Sequence, residues 1–239
     1  MLPIAYSEFA QIFRNRAVLI SNLIMPLAVS AFFIYNRDTF TDIGSTGYVA
    51  TVLVFTVGAF SLYTTAVTTL SARRQDLFLK RLRSTTAGDP AILSGLTLPV
   101  TVTALVQATV VLGVFAVVNG APADVALLIA AILLTYAMMV ALAMATAGVT
   151  GSPEQAQVTT LPVSLGTIGV ASWVGITGTE DLTLLKRVLP GGSGAELIVN
   201  TWNGTASPAQ SLALLAVTLA WVIAAIVLAL RLFRWEPRR

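Results

Sequence analysis

Six long apolar runs alternate with short polar ones along the 239 residues. They lie near 17–35, 47–70, 92–118, 125–149, 158–178 and 212–230, and none contains Asp, Glu, Lys, Arg or His. A helix needs ~20 apolar residues to cross ~30 Å of hydrocarbon. The pattern therefore predicts an all-α membrane protein with six transmembrane helices. Three start signals agree with it: Asp89-Pro90, Ser152-Pro153 and Ser207-Pro208 each pair an N-cap residue with a proline at the first helical position.

The polar stretches carry patterns of their own. Before the first run, Tyr6, Phe9, Ile12 and Phe13 share one helical face while Glu8, Gln11, Arg14 and Asn15 fall away from it. This predicts an interfacial helix over 3–16, lying on the inner leaflet. A signal peptide is the competing reading, with Arg14 and Arg16 as its basic region and Val29-Ser30-Ala31 as its cleavage site. The length of the aromatic segment and the continuation of the apolar run through Tyr35 argue against it. The one sizeable outer loop is 179–208. Leu182, Leu185 and Leu189 predict a short helix there, 195–202 a second, and Pro190-Gly191-Gly192-Ser193-Gly194 the break between them. Leu197, Ile198 and Trp202 are expected at the outer interface, where Trp is favoured.

Charge sets the orientation. With both termini inside, eleven of the fourteen Lys and Arg residues are cytoplasmic, leaving Arg37, Lys186 and Arg187 outside. The positive-inside rule then predicts an N-in, C-in chain. The net charge of +3 is explained by this placement, and no nucleic-acid partner is expected. Composition removes much chemistry: the chain is 56% hydrophobic with no Cys and no His, and its mean hydropathy is +0.84. Disulfides, thiolates, sulfur-ligated metals and the commonest general base are excluded.

Five cations fall in the eleven positions 73–83: Arg73, Arg74, Lys80, Arg81 and Arg83. Gln75, Asp76, Leu77, Phe78, Leu79 and Leu82 complete the segment, with Phe78 and Leu82 one helical turn apart. A basic loop with no partner serves as a topology determinant, but it gives no reason for four apolar residues beneath a membrane. An amphipathic helix that docks a cytoplasmic partner gives one. Polar positions inside the spans form a second pattern. Ser61, Thr64, Thr65 and Thr68 follow i, i+3, i+4, i+7 spacing on the second run, Thr160, Ser164 and Thr167 line the fifth, and Gln107 lies in the third. Such hydroxyls either bond back to carbonyls of their own helix or line a solvated path. Small-residue faces at Ala137, Ala141 and Ala145 and at Ala216, Ala220 and Ala224 allow close helix packing.

The segment from Arg73 to Thr86, followed by Pro90-Ala91-Ile92-Leu93-Ser94-Gly95, resembles the second-to-third-span loop of ABC-2 type transporter permeases. Leu189-Pro190-Gly191-Gly192-Ser193-Gly194-Ala195-Glu196-Leu197 resembles the loop before their sixth span. Departures are Gln75-Asp76 where Glu-Gly is usual, Thr86 for Pro, and Leu96 for the Lys after Gly95. The resemblance implies a coupling helix at 73–83 that docks in a groove of a separate ATP-binding-cassette ATPase. It also implies two ATPase copies and a second permease, either a second copy as a homodimer or a paired non-identical chain, in a bacterial plasma membrane. No cofactor is expected in this chain, ATP and Mg being held by the partner. The second and fifth spans are expected beside the translocation path.

No Gly-x-x-x-x-Gly-Lys-[Ser/Thr] loop occurs, so the energy for transport has to come from a partner. A proton-driven transporter needs ionisable groups inside the spans, and there are none. A sodium-coupled transporter using carbonyls and hydroxyls, or a non-ABC integral membrane scaffold, is the alternative. An intramembrane enzyme lacks its acid-base residues. Ser45-Thr46-Gly47-Tyr48 echoes a potassium filter without its repeats. The uncharged spans and short outer loops favour a hydrophobic or amphipathic cargo, a drug-like metabolite or a lipid, and the resemblance implies its export.

Overall fold

The computed structural model describes residues 20–84, 88–233 and 235; the interfacial helix expected at 3–16 lies outside them. Among the described residues there are helices and no strands. A π-helical turn at Ile20–Ile24 leads into α1 (Met25–Tyr35), and α2 (Arg37–Ile43) follows. The second run forms α3 (Thr46–Val57), a π-helical segment at Gly58–Thr64 and α4 (Thr65–Gln75). After α5 (Phe78–Arg83) come α6 (Asp89–Asn119) and α7 (Val125–Val149). The fifth run is α8 (Pro153–Thr159) and α9 (Leu161–Thr177). The 179–208 segment holds α10 (Thr183–Val188) and α11 (Gly192–Asn203), and α12 (Pro208–Leu232) ends the described bundle.

Among the described residues, five helical stretches are long and apolar enough to cross a membrane; the first run supplies a shorter apolar helix there, Asn22–Tyr35. Side-chain caps explain several boundaries. Ser45 accepts from Tyr48 N, Asp124 from Leu127 N, Ser152 from Gln155 N and Ser207 from Gln210 N, each relieving an orphan donor of the first turn. At 89–90 the start falls one residue earlier than the sequence predicts, with Gly88 as N-cap and no side-chain bond. The fifth helix starts at Pro153, where the Ser152-Pro153 signal places it and ahead of the apolar run at 158, and is interrupted at Thr160, just before Pro162 and its missing N–H.

The 46–75 helix is the central post: 89% of its apolar window is buried, against 28% for α12. The outer helix α11 is the largest departure from expectation. Leu197 and Ile198 are fully buried and Trp202 is 5% exposed, its ring centroid 5.1 Å from that of Phe115. They belong to the core instead of the outer interface. Lipid is as apolar as leucine, so what these side chains gain is close packing rather than escape from water. Glycines make that packing possible. A Cβ at Gly192 would sit 1.7 Å from the Lys186 carbonyl oxygen, and one at Gly47 2.6 Å from that of Val199. Asn203, at the end of α11, accepts from Gly47 N at 2.9 Å and donates to Ser45 Oγ at 3.0 Å, tying α11 to the start of α3.

Candidate functional site: the inner loop, the polar spans and an outer ionic cluster

The basic segment is not one helix. Arg73, Arg74 and Gln75 are the last turn of α4, where cations meet the negative end of the helix dipole. Asp76 closes that helix, and Leu77 takes a left-handed conformation with φ 55°. For an L-residue with a branched side chain this costs roughly 1–2 kcal/mol. The chain then turns into α5, which carries Phe78, Lys80, Arg81, Leu82 and Arg83.

Burial sorts these residues. Leu79 is fully buried, and Phe78 and Leu82 are half-buried against the same core. The Arg73 guanidinium lies over the Phe78 ring at 5.2 Å. Gln75, Asp76 and Arg81 are exposed, and Leu77 is 47% exposed; Arg81 Nη2 donates to the Asp76 carbonyl at 3.2 Å. Arg74 departs from the surface expected of it. It is 1% exposed, and its guanidinium donates to the carbonyls of Gly148 and Thr150 at the end of α7. Those are carbonyls that a helix C-terminus leaves without partners. Arg74 thus ties the C-terminal ends of α4 and α7 together.

The hydroxyl stripe is brought together, and most of its bonds are local. Thr64 donates to Ala59 O at 2.9 Å and Thr65 to Phe60 O at 3.1 Å, both five residues back. That is the reach of a π-helix, whose extra residue leaves carbonyls short of donors. Thr68 bonds Thr64 O, Thr160 bonds Ala156 O, and Thr167 bonds Val163 O and Ser164 O. Four contacts cross between helices. Ser164 Oγ is 3.2 Å from Thr64 Oγ1. Ser61 Oγ lies 2.5 Å from both the Asn22 carbonyl and Gln107 Oε1, with one proton to share between them. Gln107 Nε2 donates to Leu23 O at 3.2 Å, so both π-helical turns meet around one polar cluster. Ser61, Thr65, Gln107, Thr160, Ser164 and Thr167 are buried in the protomer, whereas Thr64 and Thr68 are half-exposed.

Sequence reasoning did not single out the outer cluster. The Glu196 carboxylate, on α11, accepts from Arg187 Nε at 2.7 Å and Nη2 at 2.6 Å. It also accepts from Thr179 Oγ1 and from Gln210 Nε2, each at 2.9 Å. Burial pushes the Glu196 pKa up, but the hydrogen bonds from Arg187, Thr179 and Gln210 and the Arg187 charge outweigh it, and the net shift is downward. The bond to Glu196 raises the Arg187 pKa in turn. Lys186 is buried, donating to Thr177 Oγ1 and Gly178 O at the end of α9 and lying 5.1 Å from the Trp173 ring centroid. The signal for this cluster was opposite charges in an otherwise apolar outer loop, which the orientation count treated only as charges.

The family model for the ABC-2 type transporter matches residues 4–168. No curated protein and no solved structure matches the chain. The match takes in the basic loop at 73–83 and the helices on either side of it, and it covers well over half of the 239 residues. With five helices able to span a membrane and a match of that extent, the chain belongs to the ABC-2 type transporter family of multi-pass membrane proteins.

Proposed function

We propose that this chain is the permease subunit of an ATP-driven exporter of a hydrophobic or amphipathic small molecule, working as two copies with two ATP-binding-cassette subunits. The observation that carries the reading is the inner corner at 74–83. Arg74 and Leu79 anchor it to the bundle, so a push on its exposed residues passes directly into α4 and the central post. In this reading the ATPase meets Gln75, Asp76, Leu77 and Arg81, while Phe78 and Leu82 hold α5 in place.

The reading includes six spans with both termini inside. Asn22 stands thirteen residues before the outer end of α1, about 20 Å along a helix. It meets Ser61 and Gln107, which lie at similar distances from the outer ends of their own helices. The described part of the first helix therefore reaches the level of Ser61 and Gln107, about the middle of the neighbouring helices, and the reading continues it through the residues before it. Orientation is tested with single cysteines in the native Cys-free chain. Ser193 is buried against Thr218, so the outer probe belongs at exposed Asp181 and the inner one at exposed Ser84. With an impermeant thiol reagent outside intact cells, Asp181→Cys is expected to react and Ser84→Cys to stay unmodified. The opposite pattern would overturn the orientation and the docking site with it.

Alternating access needs two bundles moving about a shared path. Thr64 and Thr68 are the members of the hydroxyl stripe still partly open in the protomer, and we place them at that path. Thr64→Cys is expected to cross-link two copies of the chain in the membrane, with a yield that changes when the ATPase binds nucleotide. A transport-competent complex holding a single copy would refute the two-copy assembly.

A further inference from the structure

The C-terminal turn of α7, 146–150, fastens four other elements. Thr146 Oγ1 lies 2.8 Å from the Tyr63 hydroxyl, in the π-helical segment of the central post. Further along the post, Arg74 donates to the carbonyls of Gly148 and Thr150. Gly148 leaves no room for a side chain, since a Cβ there would sit 2.2 Å from the carbonyl oxygen of Leu232, the last residue of α12. Thr150 Oγ1 gives its proton to the Thr146 carbonyl at 2.8 Å. It is left to accept from Thr159 Oγ1, at the end of α8, at 2.9 Å.

Two of these ties grip the post at different heights, so α4 cannot turn against α7 without breaking one. A third joins α8 to the same turn. Beyond α8 the fastening stops. The helix is interrupted at Thr160, and Pro162 has no N–H to close the gap. Proline at such a break is a common cause of a kink. The helix that follows is loosely held: 33% of the apolar window of 153–177 is buried, against 89% for the post. Past the break, α9 carries Ser164, which meets Thr64 at 3.2 Å.

We infer that Arg74 is a positioning residue for coupling: it makes α4, the end of α7 and α8 one rigid block, and α9 swings against that block at 160–162. The docking of an ATPase at 74–83 proposed above supplies only the drive for the swing; the block does not depend on it. Arginine suits the fastening. Its planar fork reaches two carbonyls together, and the C-terminal end of α7 offers partial negative charge. A push on the corner moves α8 with α4, and the first joint that yields is the proline break. There α9 changes its angle, parting Ser164 from Thr64.

The block is tested in the permease alone, with cysteines added to the Cys-free chain. Thr150→Cys with Thr159→Cys is expected to oxidise completely with copper–phenanthroline. Adding Arg74→Gln is expected to slow that oxidation at least about tenfold, the factor for losing a hydrogen bond to a charged group. Arg74→Lys, which holds one carbonyl at a time, is expected to fall between, and decides the question if Arg74→Gln fails to fold. The swing is read at Ser164→Cys, 1% exposed in this state, by its alkylation with N-ethylmaleimide. With saturating ATPase trapped by ATP and vanadate, alkylation is expected to quicken, and to do so equally with 150–159 locked as a disulfide. Arg74→Gln is expected to blunt the response. Pro162→Leu, which restores an N–H at the break, is expected to abolish it. Oxidation indifferent to Arg74→Gln would overturn the block, and a lock at 150–159 that silences Ser164→Cys would do the same. A parent chain that captures no ATPase would instead refute the docking reading, with the oxidation rates still deciding the block.

Discussion

Leu77→Asn is expected to weaken capture of the ATPase about 30-fold while leaving the permease folded, or slightly more stable. The two halves of that result have separate causes. Leu77 is held left-handed at φ 55°, a region Asn enters at lower cost, so the change relieves up to about 1 kcal/mol of backbone strain. Its side chain is half exposed on the inner face. Truncating an apolar anchor at the centre of an interface typically costs ≥ 2 kcal/mol, about a 30-fold loss of affinity. Phe78→Asp with Leu82→Asp makes a contrasting pair. Both side chains pack on the core, so this change is expected to lower thermal stability as well as docking. The measurements are copurification of the ATPase and melting of the permease in detergent. A Leu77→Asn chain that holds its ATPase as the wild type does would remove Leu77 from the interface.

Glu196→Ala is expected to destabilise the chain by about 3 kcal/mol, the lower end for stranding one member of a buried ion pair. The lower end applies because the Arg187 side chain is 29% exposed, so water recovers part of the loss. Thr179 and Gln210 lose their acceptor as well. The pH dependence has a definite sign. The folded pKa of Glu196 is depressed, so its contribution is fully present above the ordinary carboxylate value of about 4.3 and is lost as pH falls through the lower, folded value. Glu196→Gln keeps the shape and part of the hydrogen bonding, so it is expected to cost less and to flatten the acid limb of the stability curve. Melting of Glu196→Ala within about 0.5 kcal/mol of the wild type would show that the cluster holds nothing in place.

Local signals were legible and long-range ones were not. The 125–149 helix came out at its observed bounds because nothing in the run interrupts it and Asp124 caps its start. The turn at Leu77 was hidden, since leucine gives no hint of a left-handed backbone and Arg73 to Arg83 reads as continuously helical. Arg74 looked like its neighbours because its partners are carbonyls of Gly148 and Thr150, more than seventy residues away. For α11, the outward-looking Trp202 suggested an interface, and the glycines that let the helix sink into the bundle looked like a loop break. The hydroxyl stripe was visible as spacing; that Thr64 and Thr65 reach back five residues rather than four was not, because the π-helical turn has no sequence mark of its own.

The π-helical segment at Gly58–Thr64 divides the central post into an outer and an inner half. Such a segment stores one residue more than the surrounding α-helix would use. Moving that residue one position along the helix would turn the residue it passes by about 100° and shift it by about 1.5 Å relative to both ends of the post. Thr64 and Thr65 already supply mobile donors to the carbonyls that change partner. The helix thus holds the parts of a screw with a single detent, its lower end fastened through Arg74 to α7 and its upper end capped by Ser45 and Asn203.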